Sequence, residues 1–210
     1  MSDKTFTPDQ AATLAEILRW RRDVRHFRTE PVPEAILQRL KLAMACAPSV
    51  GNARPWRVVR VRDQALRAAV RAEFCRCNDA AAADYDAASR DEYLRLKLAG
   101  LDEAPEHLAV FTRMDPPEGR RLGRRTMPET LRQSTAMAIH TLWLAARAEN
   151  LGLGMVSILE PARMRDLFGV PADWEFSAYL CIGWPAHHDD TPLLHRVGWQ
   201  LTREPEWDER

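Results

Sequence analysis

Residues 129–150 constrain the fold more than any other stretch. They read as one helix that is apolar on most of its faces. A helix apolar nearly all round has to be covered nearly all round, so it belongs at the centre of the molecule. Its most apolar part, 136–148, carries His140 and Arg147 and is too short and too polar to cross a bilayer. Thr126-x-x-Glu129 ahead of it reads as a capping box, and Gly152 and Gly154 read as its end.

The remaining segments supply what covers that helix. Thr7-Pro8-Asp9-Gln10 is a helix start, with Thr7 as cap and Pro8 in the first turn, and that helix runs to about Arg19. Residues 21–28 are polar apart from Phe27. Pro33 opens a second helix with Ile36, Leu40, Ala43 and Ala47 on one face; it stops before Pro48. After a loop over 49–55, residues 56–62 alternate basic and apolar side chains, as in a strand with one wet face. Asp63 caps a third helix to about Cys77, and a further helix ends at Gly100. Residues 107–111, 154–159 and 175–182 read as strands and 161–168 as a short helix. Residues 114–126 form a long loop with Arg120, Arg121, Arg124 and Arg125. Five or six helices and four or more strands that do not strictly alternate predict an α+β fold. The length suits one domain over 1–210, with a polar tail from about His187.

Charge and cysteine usage narrow the function. Thirty basic residues balance thirty acidic ones, so no global field favours nucleic acid and anions must be bound by local clusters. The first ten residues hold no apolar run, which argues against a signal peptide, and no segment is expected in a membrane. Cys46, Cys75, Cys77 and Cys181 fit neither a zinc framework nor a disulfide scaffold, so free thiols and a cytoplasmic location are expected. His187-His188-Asp189-Asp190 reads as polar tail rather than a metal site. Phosphate-loop, G-x-G-x-x-G, H-E-x-x-H and G-x-S-x-G patterns are absent.

Three constellations could carry chemistry. In Arg21-Arg22-Asp23-Val24-Arg25, three guanidiniums can clamp a phosphate or the polar edge of a ring system. Asp23 among them is expected to stay ionised and well oriented, as a base or an orienting group. In 47–56, small residues let a ligand approach the backbone, and Ser49 and Asn52 supply hydrogen bonds. In 152–161, Ser157 reads as a hydroxyl inside an apolar strand, in need of a partner. Each has a plainer alternative: a solvated basic turn, an ordinary loop, a hydroxyl bonded to a neighbouring carbonyl.

Together these segments resemble the nitroreductase-like flavoproteins and, within them, the 5,6-dimethylbenzimidazole synthase family. The specific stretches are Arg21-Arg22-Asp23-Val24-Arg25-x-Phe27 and Gly123-Arg124-x-Thr126-Met127-Pro128-Glu129-Thr130. Ala47-Pro48-Ser49-Val50-Gly51 with Pro55-Trp56, Leu96-Lys97-Leu98-x-Gly100, Val156-Ser157-Ile158-Leu159 and Leu180-Cys181-Ile182-Gly183 match as well, and the likeness covers roughly 14–199. It implies a nitroreductase-like α+β fold, a central, mainly antiparallel sheet flanked by helices, and a homodimer with FMN at the subunit interface. The implied reaction is the fragmentation of reduced FMN by molecular oxygen to dimethylbenzimidazole, the lower ligand of vitamin B12, and erythrose 4-phosphate. Its electrons would come from NAD(P)H or from a separate flavin reductase. On this likeness Arg21, Arg22 and Arg25 would hold the phosphate and the pyrimidine edge, with Arg196 a further phosphate ligand. Val24, Ser49, Val50, Gly51 and Ile158 would contact FMN, and Lys97 would reach its ribityl chain or phosphate. Asp23 would orient or deprotonate the oxygenated flavin, and Ser157 would assist proton movement. Met155 stands where the family usually has Trp; Asn52-Ala53-Arg54 and His195 also depart from the pattern. The alternatives are an NAD(P)H-dependent nitroreductase or flavin reductase, and a flavin-binding protein without turnover.

Overall fold

Strands β1 (Trp56–Arg60), β2 (Glu106–Arg113), β3 (Gly152–Val156) and β4 (Trp174–Gly183) form one sheet in the order β1-β2-β4-β3, each pair antiparallel. A computed structural model describes residues 4–83 and 100–210. Among these residues the helices are α1 (Pro8–Trp20), α2 (Glu34–Ala45), α3 (Gln64–Ala83), α4 (Gly100–Glu103), α5 (Thr130–Ala148), α6 (Pro161–Phe168) and α7 (Leu193–Arg196). The fold is α+β.

Both faces of the sheet are covered, and successive residues of β4 serve opposite sides. Ala178, Leu180 and Ile182 join Val110 and Leu153 under α2 (Leu40, Met44) and α5 (Ala138, Ile139, Leu142, Ala146). Tyr179 and Cys181 join Ala109 and Phe111 on the far face, against Val70 of α3, Met164 of α6 and Phe27. Burial on both faces is why 178–182 is a continuous apolar run rather than an alternating one. Two polar groups are satisfied inside this core. His107 bonds Tyr179 through Nδ1 (2.9 Å) and the Ala104 carbonyl through Nε2 (3.1 Å). A carbonyl only accepts, so Nε2 carries the proton and Tyr179 donates to Nδ1. Burial pulls the His107 pKa down to about 4. Thr112 bonds both Thr135 and Ser177 at 2.7 and 2.8 Å.

Local signals set most boundaries. The Thr7–Gln10 capping box forms in both directions. Asp63 Oδ1 accepts from the Ala65 and Leu66 N–H groups at the head of α3. That helix runs past Cys77 to Ala83, where the alanines at 80–83 favour helix. The helix expected to stop at Gly100 falls mostly outside the described residues, and the turn of α4 lies beyond that stop.

Two expectations about α5 are corrected. The Thr126–Glu129 capping box does not form. Thr126 sits in a turn whose N–H bonds Gly123, and Glu129 caps the helix without a side-chain bond. Nor do Gly152 and Gly154 end α5. Asn150, in the left-handed region at φ 60, ends it, with Leu151 N–H on Ala146 and Asn150 N–H on Arg147. Both glycines lie within β3. α5 is the central helix, yet Met137 stays 39% exposed, and α1 buries no residue although Leu14 and Leu18 point along one stripe.

Candidate active site at the sheet edge

Residues 21–28 run along the open edge of β3. Val24 N–H donates to Leu153 O at 3.1 Å, and isolated bridges pair Asp23 with Leu153 and Phe27 with Pro185. This crossing explains the glycines. A Cβ on Gly154 would lie 2.2 Å from the Val24 carbonyl oxygen, and one on Gly152 would lie 2.7 Å from the Val24 side chain. Only glycine lets the basic segment come this close.

The crossing aims Asp23. Its Oδ1 accepts from the Met155 N–H at 3.0 Å, and its Oδ2 stands 3.4 Å from Arg25 Nε. The side chain keeps 35% exposure, yet the protein around it is dense enough that desolvation is the largest influence and raises its pKa. The Met155 N–H and Arg25 oppose that rise without cancelling it. Asp23 was expected to be held ionised and well oriented by the arginines; the Met155 N–H supplies the orientation, and desolvation outweighs the arginines in setting the direction of its pKa. Arg21 stacks over Trp143, 4.9 Å from its centroid, and Arg22 donates to Asp190 O at 2.6 and 2.9 Å. Arg25 is left as the near cation, at a long distance.

A cleft of about 630 Å3 opens between this segment and residues 185–196. Arg22, Asp23, Val24, Arg25 and Arg196 line it, so one part of the expected site does assemble. Arg196 is ion-paired with Asp189. Arg147 and His188 also line the cleft. Sequence reading missed both as site residues, because one sat in an apolar helix and the other in a polar tail.

Ser157 was expected inside a strand with a buried hydroxyl. It lies one residue beyond β3 and is exposed, because β3 ends at Val156; Ile158 beside it is half-buried. Lys97 lies outside the described residues. Ser49, Val50 and Gly51 do not line the cleft. Val50 N–H donates to Ser134 Oγ at 3.0 Å, Ser49 Oγ accepts from Arg54 N–H, and Gly51, at φ 55, packs against Gly119. Ser134 lies in the first third of α5, whereas Trp143, which donates to Arg22 O, lies near its end. At 1.5 Å per residue the two motifs sit about 13 Å apart along α5. In the loop before α5, Arg124 is 8% exposed, and its Nη1 has no hydrogen-bond partner.

Among the described residues no helix is long and apolar enough to cross a membrane, and no cluster of three or more His, Cys, Asp or Glu forms a metal site. All four cysteines are free.

The Nitroreductase family model matches residues 18–184. A curated 5,6-dimethylbenzimidazole synthase from Rhodobacter capsulatus is 60% identical over 98% of this chain and 99% of its own length. One from Rhodospirillum rubrum is 52% identical over 94% of each chain. Among solved structures, oxidised iodotyrosine deiodinase bound to FMN and 3-iodo-L-tyrosine superposes with a TM-score of 0.72 at 22% identity, covering 94% of this chain and 97% of that one. A nitroreductase with bound FMN from Desulfitobacterium hafniense gives 0.63 at 18% identity, covering 93% and 94%. At such identities the structural likeness speaks for the fold alone.

Proposed function

The chain belongs to the nitroreductase family, and from that premise we propose that it is a 5,6-dimethylbenzimidazole synthase, an enzyme that consumes reduced FMN and molecular oxygen. The observation that carries the reading is Asp23. It is a carboxylate fixed by a backbone N–H at the sheet edge, with a raised proton affinity, among cations suited to a flavin's phosphate and pyrimidine edge. The full-length relatives that bear this activity's name support it. Hydride transfer alone gives such a carboxylate no task.

The residues present fit FMN. Four arginines (Arg22, Arg25, Arg147, Arg196) against two aspartates (Asp23, Asp189) give the cleft wall a net positive lining that suits a phosphate dianion. Its volume lies within the roughly 300–1,000 Å3 of small-molecule sites. When bound, reduced FMN supplies both the electrons that activate oxygen and the ring carbons of the product. Arg25 would hold its polar edge from the cleft wall, and Arg21, stacked on Trp143 beside it, would add positive field there. Asp23 accepts a proton at the carboxylate oxygen not bonded to Met155, and a raised pKa makes it a better base near neutrality. Ser157, exposed two residues beyond Met155, relays a proton.

Ser49, Val50 and Gly51 stand at the other end of α5, so a second copy of the chain would supply them to complete the pocket. The exposed stripe of α1 and the open Met137 suit such a homodimer. On the family likeness Lys97 would contact the ribityl chain or phosphate of FMN, and NAD(P)H or a separate flavin reductase would deliver the electrons. Free thiols fit a cytoplasmic setting.

The test is incubation of the protein with excess reduced FMN in air-saturated buffer, followed by mass spectrometry of the small molecules. Dimethylbenzimidazole with loss of flavin is the expected result. Full recovery of oxidised FMN refutes the reading and points to an NAD(P)H-dependent reductase.

A further inference from the structure

The cleft's arginines are not equally available. Arg22 spends its guanidinium on the Asp190 and Arg21 carbonyls, at 2.6 to 2.9 Å, and so straps residues 189–190 to the sheet edge. Arg196 is occupied by Asp189, and Arg25 faces Asp23. Arg147 differs. Its Nη1 donates to His188 Nδ1 at 3.0 Å and its Nη2 to Asn150 Oδ1 at 3.1 Å. Both acceptors are neutral, because a nitrogen that accepts from a guanidinium carries no proton. Among the described residues no carboxylate pairs with Arg147, and desolvation is the one influence resolved on its pKa, which it lowers. A half-buried guanidinium whose neighbours are uncharged lacks its counter-ion. An anion that entered the cleft would meet it there.

We propose that Arg147 is the principal cationic contact for a phosphate monoester in this cleft. His188 positions it, and Arg22 and Arg196 act as straps that shape the wall. The inference rests on the flavin reading for one source of that group, the phosphate of FMN. The other source is a free phosphate ester or inorganic phosphate. The Asn150 and His188 bonds fix the guanidinium at the last turn of α5, where the helix C-terminus also favours a cation when no anion is bound.

The experiment compares Arg147→Gln and Arg147→Lys with the wild type. Flavin fluorescence gives dissociation constants for FMN and for riboflavin, and calorimetry measures inorganic phosphate. Riboflavin lacks the phosphate, so its affinity reports on folding and ring contacts alone. Loss of a charged hydrogen bond corresponds to about 10- to 100-fold in affinity. Arg147→Gln is expected to lose that factor for FMN, to keep its riboflavin affinity within about 3-fold, and to be partly rescued in Arg147→Lys. If FMN binding is unchanged but wild-type phosphate binding is lost in Arg147→Gln, the free ester is the source and the assignment of Arg147 stands. If neither FMN nor phosphate binding responds to Arg147→Gln, the assignment is overturned. A wild type that binds no flavin but loses phosphate on Arg147→Gln sinks the flavin reading and leaves this one standing.

Discussion

Gly154→Ala tests the link between sheet packing and the site. The new Cβ would lie 2.2 Å from the Val24 carbonyl oxygen, and ordinary contact begins at 3.4 Å, so 3.4 − 2.2 = 1.2 Å must be found. The obstacle is backbone, which no rotamer change removes. Val24 is also tied to Leu153 by its N–H, so the strain falls on the segment that carries Asp23. The Asp23–Met155 bond, now 3.0 Å, would not survive a shift of that size. Overpacking of this kind costs about 1–3 kcal/mol. A catalytic group misplaced by about 1 Å can lose about 100-fold in rate. Urea unfolding measures the first effect, and dimethylbenzimidazole formation per folded molecule measures the second. Gly169→Ala is the control. Unlike Gly154 it needs positive φ (57), and it has nothing within 4 Å of its Cβ. It is expected to cost about 1–2 kcal/mol of backbone strain while leaving turnover per folded molecule intact. Wild-type stability and turnover in Gly154→Ala would refute the crossing of residues 21–28 over β3. Equal loss of turnover in Gly169→Ala would refute the claim that displacement of Asp23 is the cause.

Asp23→Asn keeps the shape and removes the charge, so FMN binding should persist while product formation falls about 100-fold or more; normal turnover would remove Asp23 from the chemistry. His107 has a folded pKa of about 4, below its ordinary value of 6.5, so the unfolded chain takes up more protons between these values. Its contribution is therefore complete above pH 6.5 and is lost as pH falls toward 4, by about 3 kcal/mol. Denaturant titrations at pH 7 and pH 4.5 should show that loss in the wild type and a shallower one in His107→Gln. Glu73, 5% exposed and bonded by Arg76 at 2.6 and 2.9 Å, has its pKa pulled down to about 2. Its contribution is present above pH 4.5 and fades as pH falls toward 2. Glu73→Gln should cost about 1–3 kcal/mol at neutral pH and flatten the acid limb of the unfolding curve.

Short-range chemistry was readable from the chain. The Thr7–Gln10 box, the Asp63 cap and the start of α6 at Pro161 depend on residues within four positions of each other, and they stand where the sequence puts them. The apolar runs at 107–111 and 175–182 named two strands, and the apolar helix before Asn150 named the centre of the fold. The residue types of the candidate site were legible too, since Arg21 to Arg25 concentrates charge in a way few segments do. Arrangement was not legible. Asp23 meets Met155 across 132 positions, and Arg22 meets Asp190 across 168. Whether an arginine becomes a strap, a stacking partner or an anion ligand depends on which distant carbonyl, ring or carboxylate folding brings to it. Gly152 and Gly154 looked like a helix stop because glycine is common there. Their actual role follows from Val24 lying against them, a contact with no trace in the neighbouring residues. Ser157 drew attention as a polar residue in an apolar run, but β3 ends one residue too early to bury it. Local propensities act through sterics and capping within a turn or two, whereas a site's protonation and occupancy depend on solvent exclusion by segments far apart in the chain.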